Sequence, residues 1–157
     1  MAEYRIAVVG GAGIGPEVVR EGLKVLNAAA EIYGFGISTT EFPHGTEHFL
    51  KTGEELPEAA KQEMADHDAI LLGAIGDPRV EVGRIERAVI AGLRFGLDLY
   101  VNLRPVQLYH EKFCPLKDKG PEDIDFVVVR ENTEGAYAGV GGIMHKGTSR
   151  EVAVQNM

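Results

Sequence analysis

Three arginines and a tyrosine are the residues of this sequence best suited to chemistry. Arg94 and Arg104 flank Phe95 to Leu103 in the stretch Leu93-Arg94-Phe95-Gly96-Leu97-Asp98-Leu99-Tyr100-Val101-Asn102-Leu103-Arg104-Pro105, which is otherwise largely apolar. A lone guanidinium is costly in such a setting. Arg130 directly follows the run Phe126-Val127-Val128-Val129, a second buried-looking segment. Guanidinium forks bind carboxylates bidentately and keep their charge, so the three together predict one preset site for a small polyanion. Tyr137 lies just beyond Arg130, across the polar turn Glu131-Asn132-Thr133-Glu134-Gly135. A phenol beside a cation can act as a general acid once its environment lowers its effective pKa. Spacing alone favours the plainer reading, a strand-end tyrosine packed on a glycine turn.

The remaining reactive residue types offer weaker signals. Between Arg79 and Arg104 lie five of the chain's nine arginines and no lysine, a local excess that would draw an anion. For Arg79, Arg84 and Arg87 a solvated helix face accounts for the pattern as well. His44 and His48 are spaced for one helix face, as metal ligands often are. Pro43 and Gly45 weaken that helix, and no adjacent cysteine or cluster of carboxylates completes a site, so no metal ligand is expected in this chain. Cys114 precedes Pro115, has no evident base, and reads as an ordinary side chain. The turn Gly10-Gly11-Ala12-Gly13-Ile14-Gly15 invites a dinucleotide reading. It fails the Rossmann spacing, because Pro16 or Ala12 stands where a glycine is required. A tight strand-to-helix turn is favoured.

The elements that must position these residues follow from hydrophobic periodicity. Tyr4 to Val9 predicts a buried first strand. Pro16 opens an amphipathic helix through about residue 33, with Val19, Leu23, Leu26 and Ala30 at helical spacing. Ile37 to Phe42 reads as a second strand, and residues 43–56 as loop or short helix. A further helix runs from Leu56-Pro57 through Met64 to His67. Ala69 to Leu72 has the continuous apolar character of a central parallel strand. It ends in a flexible loop, Gly73-Ala74-Ile75-Gly76-Asp77-Pro78, at the strand end where open α/β sheets place ligands. Ile85, Val89 and Leu93 mark a helix, Leu97 to Val106 a long strand, and Asp125 to Arg130 another. A glycine-rich stretch from Gly135 to Gly147 precedes a last strand at Glu151 to Val154. The alternation predicts an α/β fold, a largely parallel open sheet with flanking helices. No repeat, low-complexity tract or interdomain linker is evident.

Composition narrows the function. The 157 residues are enough for one ordinary domain, and 45% hydrophobic with 25% charged residues is a globular mixture. A formal charge of -8 argues against nucleic acid and anionic membranes as partners. No apolar run reaches the length of a membrane span, the N-terminus lacks the layout of a signal peptide, and a lone cysteine fits the reducing cytoplasm. The sequence ends just after a strand with no closing helix, as a cut chain would.

Several segments resemble the β-decarboxylating dehydrogenases, the isopropylmalate and isocitrate dehydrogenase family. They are Gly11-Ala12-Gly13-Ile14-Gly15-Pro16-Glu17-Val18, Ala69 to Pro78, Ile85 to Pro105 and Asp125 to Gly139. Within the family, Ile85-Glu86-Arg87 leading to Leu93-Arg94-Phe95 is most similar to the bacterial 3-isopropylmalate dehydrogenases. The resemblance implies an isopropylmalate dehydrogenase-like rather than Rossmann fold, with residues 1–157 as the N-terminal part of a truncated subunit. It implies that Arg94, Arg104 and Arg130 clamp the malate carboxylates and that Tyr137 helps protonate the carbanion-like carbon after decarboxylation. Gly73, Ala74 and Ile75, with Asn102, would line the nicotinamide pocket of NAD. The helix carrying Glu86 and Ile90 would meet the variable substituent of the substrate. Val89, Ile90 and Ala91 suit an isopropyl group, each buried CH₂ contributing about 0.8 kcal/mol. Arg84 and Arg87 could instead serve a more polar acid, so D-malate, tartrate and isocitrate stay open.

The family is about twice this length. Its remaining half carries the lysine base, the aspartates that bind Mg²⁺ or Mn²⁺, and the adenosine-binding loop, in what is expected to be a homodimer. One departure is Ala12, where the family usually has Asp. If the natural chain is this short, the competing reading is a non-catalytic anion-binding domain.

Overall fold

The computed structural model describes residues 2–157. The chain divides into two compact units, one ending at Leu97 and one of Asp98–Met157. The division falls inside the apolar stretch that carries Arg94 and Arg104, which is why no glycine-, proline- or serine-rich linker marks it.

In the first unit, strand β1 (Glu3–Val9) runs parallel to β2 (Gly36–Phe42) on one side and to β3 (Ala69–Leu72) on the other, in the order β2-β1-β3. The central strand is therefore β1. The short β3, expected at the centre, sits at the edge among the described residues. From Ile6 to Val9, β1 is apolar without interruption and buried, because both of its faces are covered there. Ile6 and Val8 meet helix α1 (Gly15–Tyr33) through Val19, Leu23 and Leu26. Ala7 and Val9 turn to the other side and join Phe42, Leu56, Ala60, Met64, Ile85, Val89 and Leu93. Phe42 ends β2 and Leu56 precedes α3 (Glu58–Ala65); the others come from α3 and from the helical stretch made of α4 (Arg84–Glu86), a π turn (Arg87–Ala91) and α5 (Gly92–Gly96). Helix α2 (Thr46–Thr52) lies between β2 and α3 in the chain.

Pro16 occupies the first turn of α1, and Gly34 ends that helix at φ 70°, a left-handed conformation that costs glycine little. The helix expected to end near Leu93 continues to Gly96, and the strand expected from Leu97 starts later. Asp98, at φ 49°, turns the chain between them.

The second unit is built differently. β4 (Val101–Gln107) pairs antiparallel with β5 (Asp125–Glu131), and β6 (Gly141–Met144) pairs antiparallel with β7 (Val152–Gln155). The parallel sheet is thus confined to the first unit. The apolar strands β4 and β5, read as buried, are mostly exposed: Leu103 is 63% and Val129 69% accessible. Their hydrophobicity has no covering layer among the described residues.

Candidate functional site

The first unit brings two strand-end loops together by backbone contact. Gly73 donates its N–H to the Val9 carbonyl at 2.8 Å, and Ala12 donates to the Ala74 carbonyl at 2.7 Å. Four glycines make this approach possible. A Cβ on Gly11 or Gly15 would run into the Ala74 carbonyl, one on Gly73 into the Gly10 carbonyl, and one on Gly45 into the Gly11 carbonyl. The glycine turn is therefore a packing device, as its spacing indicated. Ala12 is 4% exposed, so its methyl group fills a closed spot.

The loop from Gly73 to Pro78, read as flexible, is instead tied down. The Asp77 carboxylate accepts from the Arg79 backbone and from its guanidinium, and Arg79 reaches on to Glu47. Hydrogen bonds from the Arg79 side chain, then from its N–H, hold the Asp77 carboxyl down at about 2. Arg84 donates through Nε to Glu55 at 2.7 Å and lies over the Phe49 ring at 4.5 Å. These carboxylates neutralise Arg79 and Arg84, which settles them as parts of a paired, solvated surface.

Glu86, Ile90 and Arg94 follow one another at four-residue spacing beside the buried row Ile85, Val89 and Leu93. The Glu86 carboxylate faces Gly76, 3.4 Å from where a Cβ would stand. Ile90 is 41% exposed, whereas Val89 is 1% exposed and belongs to the core, so it cannot touch a ligand. Between Glu86 and Arg94 the backbone forms the π turn, with Gly92 donating to the Arg87 carbonyl five residues back. Such single wide turns occur frequently at functional sites. Arg94 lies against the Phe95 ring at 4.5 Å.

In the second unit, Asn102 pairs directly with Arg130, and Arg104 with Val128. Directly opposed residues of an antiparallel ladder share a face, and so do alternate residues of one strand. Asn102, Arg104 and Arg130 therefore project from the same face of the ribbon. Arg104 donates through Nε to the Asn102 side-chain oxygen at 3.0 Å. The Arg130 guanidinium sits 5.3 Å from the centre of the Tyr137 ring, which places the cation and the phenol side by side.

The residues that hold this group together escaped sequence reasoning. Asn132 accepts from Asn102 and donates to the Leu99 carbonyl, fastening the end of β5 to the approach to β4. The Glu131 carboxylate accepts from the backbone of Thr133 and Glu134 and from the Thr133 hydroxyl. The Thr133 N–H leads the interactions that lower its pKa. The Gln155 amide donates to the Ala136 carbonyl, so β7 braces the short turn that carries Tyr137. A carboxylate followed by Asn-Thr-Glu was the available signal for such a capped turn.

His44 and His48 do not share a helix face. Gly45 is extended, and α2 begins only at Thr46. Yet the structure supplies the carboxylate that sequence reading lacked. Glu54 lies 2.8 Å from His48 Nε2, and one ligand atom from each of His44, His48 and Glu54 falls within 4.8 Å of the others. Burial, and next the neighbouring His48, hold His44 below its ordinary pKa.

Known proteins resemble this chain along nearly its whole length. Residues 5–157 match the family described as isocitrate/isopropylmalate dehydrogenase. The 3-isopropylmalate dehydrogenase of Thermobifida fusca is 54% identical over 97% of this chain and 43% of its own length. That of Frankia casuarinae is 52% identical over 96% of this chain and 42% of its length. Among solved structures, isocitrate dehydrogenase from Methylococcus capsulatus superimposes with a TM-score of 0.72 at 28% identity, covering 96% of this chain and 42% of that one. A β-decarboxylating dehydrogenase from Thermococcus kodakarensis gives a TM-score of 0.61 at 33% identity, over 96% of this chain and 40% of its own. The chain spans well under half the length of the curated relatives it matches. With the α/β fold expected and a match running through both units, the chain belongs to the isocitrate/isopropylmalate dehydrogenase family.

Proposed function

We propose that the whole polypeptide containing this chain oxidises and decarboxylates a 2-hydroxy diacid with NAD, that 3-isopropylmalate is the substrate, and that the reaction serves leucine biosynthesis. The observation that carries this reading is the ribbon face that gathers Asn102, Arg104 and Arg130, with Tyr137 against Arg130, in a member of this family. Arg104 and Arg130, on one face of the ribbon, bind substrate carboxylate, and Arg94 is assigned the same kind of role; bidentate positioning of this kind contributes several kcal/mol to catalysis. Tyr137 holds the proton that the reacting carbon receives once carbon dioxide has left.

Ile90 meets the substituent, with Glu86 beside it. Arg84 is engaged by Glu55, which supports an apolar substituent over a third carboxylate. NAD⁺ supplies the hydride acceptor. Ala74 fits that group, since it is exposed and carries only a methyl, so a flat ring can approach it; Gly73 contributes by holding the loop against the Gly10 turn. Ile75 packs on the core and contributes through its backbone, and Asn102 completes the cofactor residues.

For the Mg²⁺ or Mn²⁺ of the family the fit is poor. The one three-ligand cluster among the described residues is His44, His48 and Glu54, not the oxygen set such hard ions take, so no step is derived through them. The metal ligands and the lysine base belong to length that the relatives have and this chain lacks, in subunits that pair as homodimers.

The test is a comparison of kcat/KM for 3-isopropylmalate, isocitrate, D-malate and tartrate, measured on the whole polypeptide. The expected result is a clear preference for 3-isopropylmalate, and preference for isocitrate would overturn the substrate. Arg104→Ala should cost at least about 2 kcal/mol in kcat/KM, the loss typical of truncating one partner of a charge pair.

A further inference from the structure

We propose that His44, His48 and Glu54 form a binding site for one divalent cation of the zinc class, a site separate from the substrate residues and independent of the reading above. Three elements converge to build it. His44 comes from the segment after β2, His48 from the middle of α2, and Glu54 from the link that follows α2. Their ligand atoms lie within 4.8 Å of one another, so small side-chain rotations bring them onto a common ion.

Glu54 is aimed by local structure. Gly53 ends α2 at φ 75°, and the Thr52 hydroxyl accepts from the Glu54 N–H at 3.1 Å while donating to the His48 carbonyl at 2.8 Å. A second observation is independent of this arrangement. Nδ1 of His44 is buried and has no hydrogen-bond partner among the described residues. A buried ring nitrogen in that state is costly unless something fills its lone pair or takes its proton.

Two imidazoles and a carboxylate are the donor set of three-ligand zinc sites, with water in the fourth position. The softer nitrogen donors select against magnesium and calcium. The surroundings favour a cation as well. Glu54 brings a carboxylate charge to within 2.8 Å of His48 Nε2. A bound ion would clamp the segment after β2 to the far end of α2. It would do so beside Gly45, whose backbone packs on the Gly11 turn.

The experiment is titration of the untagged 157-residue chain with Zn²⁺ by calorimetry and with Co²⁺ by visible absorption. Mg²⁺ is the competitor, and His48→Gln and Glu54→Gln are the variants. The expected result is one equivalent of Zn²⁺ per chain, four-coordinate cobalt bands and a Tm that rises with zinc concentration. Excess Mg²⁺ should leave binding unchanged, and each variant should weaken it at least tenfold. Glu54 is half exposed, so Glu54→Gln keeps the fold even if a histidine variant does not. The absence of saturable binding overturns the proposal. So does one equivalent held with unchanged affinity by Glu54→Gln and His48→Gln, which would assign the ion to His67, His110 or His145.

Discussion

The two units use hydrophobic residues in opposite ways. In the first, Ala7, Val9 and Met64 are fully buried between the sheet and its helices, and the loops at the strand ends are locked by glycine contacts and by the Asp77–Arg79–Glu47 cluster. In the second, equally apolar strands leave Leu103, Val127 and Val129 more than half exposed. Their order comes instead from ladder hydrogen bonds and from the polar braces of Asn132, Glu131 and Gln155. The contrast teaches that a hydrophobic run reports what a strand is suited to pack against, not that the packing is present. Apolar surface left open on this scale marks a face that other protein is suited to cover.

Matched substitutions in the two units test this difference. The largest effect is expected for Gly11→Ala. It combines a φ of 82° with a Cβ forced onto the Ala74 carbonyl, and should remove at least about 3 kcal/mol of stability. Gly139→Ala has a similar φ of 72° but open space around it, and should cost only about 1–2 kcal/mol. Urea unfolding followed by circular dichroism compares the two, and equal losses would break the distinction between locked and open units.

Next in size is Met64→Ala. Deleting a side chain that is 0% exposed should cost about 2–5 kcal/mol. Val129→Ala, at 69% exposed, should stay within about 0.5 kcal/mol. Hydrogen exchange at β1 and at β5 reads both locally.

A smaller effect concerns acid. Asp77 has its pKa lowered from 3.8 to about 2 in the folded state, so its contribution is complete above about pH 4 and is lost as pH falls toward 2. The stability difference between the wild-type chain and Asp77→Asn should therefore shrink across that window. A constant difference would remove Asp77 from the lock. An effect of the opposite sign is expected at Thr46, which is fully buried with its hydroxyl unpartnered among the described residues. Thr46→Val should leave stability unchanged or raise it by about 1 kcal/mol, because it removes a buried polar group that makes no bond.

Much of the first unit was legible because local signals and tertiary needs agree there. Pro16 and Gly34 bound α1 as their backbone preferences require, and the periodicity of Val19, Leu23 and Leu26 matches the face that α1 buries. β4 and β5 were recognisable as strands from the same kind of signal. Their antiparallel pairing was not, since composition does not encode strand direction. The burial assumed for Val127 to Val129 failed for a related reason, because burial depends on a second layer that no local pattern contains. At the candidate site, Arg104 and Arg130 stood out as charged residues beside apolar runs. Tyr137 was noticed only for its nearness to Arg130, its spacing favouring a strand-end tyrosine on a glycine turn. Asn132, Glu131 and Glu54 did not stand out, because each acts through a turn whose geometry exists only after folding. His44 and His48 were noticed for a helical spacing they do not use, and their actual partner arrives through the positive φ of Gly53.

The wide turn at Arg87–Ala91 amounts to one residue more than a regular helix would need over the same rise. Each residue in a helix advances the side-chain direction by about 100°. Winding the same residues as an ordinary helix would instead swing everything downstream by about that angle. Leu93 would rotate out of the core and Arg94 away from the line of Glu86 and Ile90. The insertion therefore works as an indexing step, a single added residue that sets the direction of an arginine without altering the helix ends that hold it.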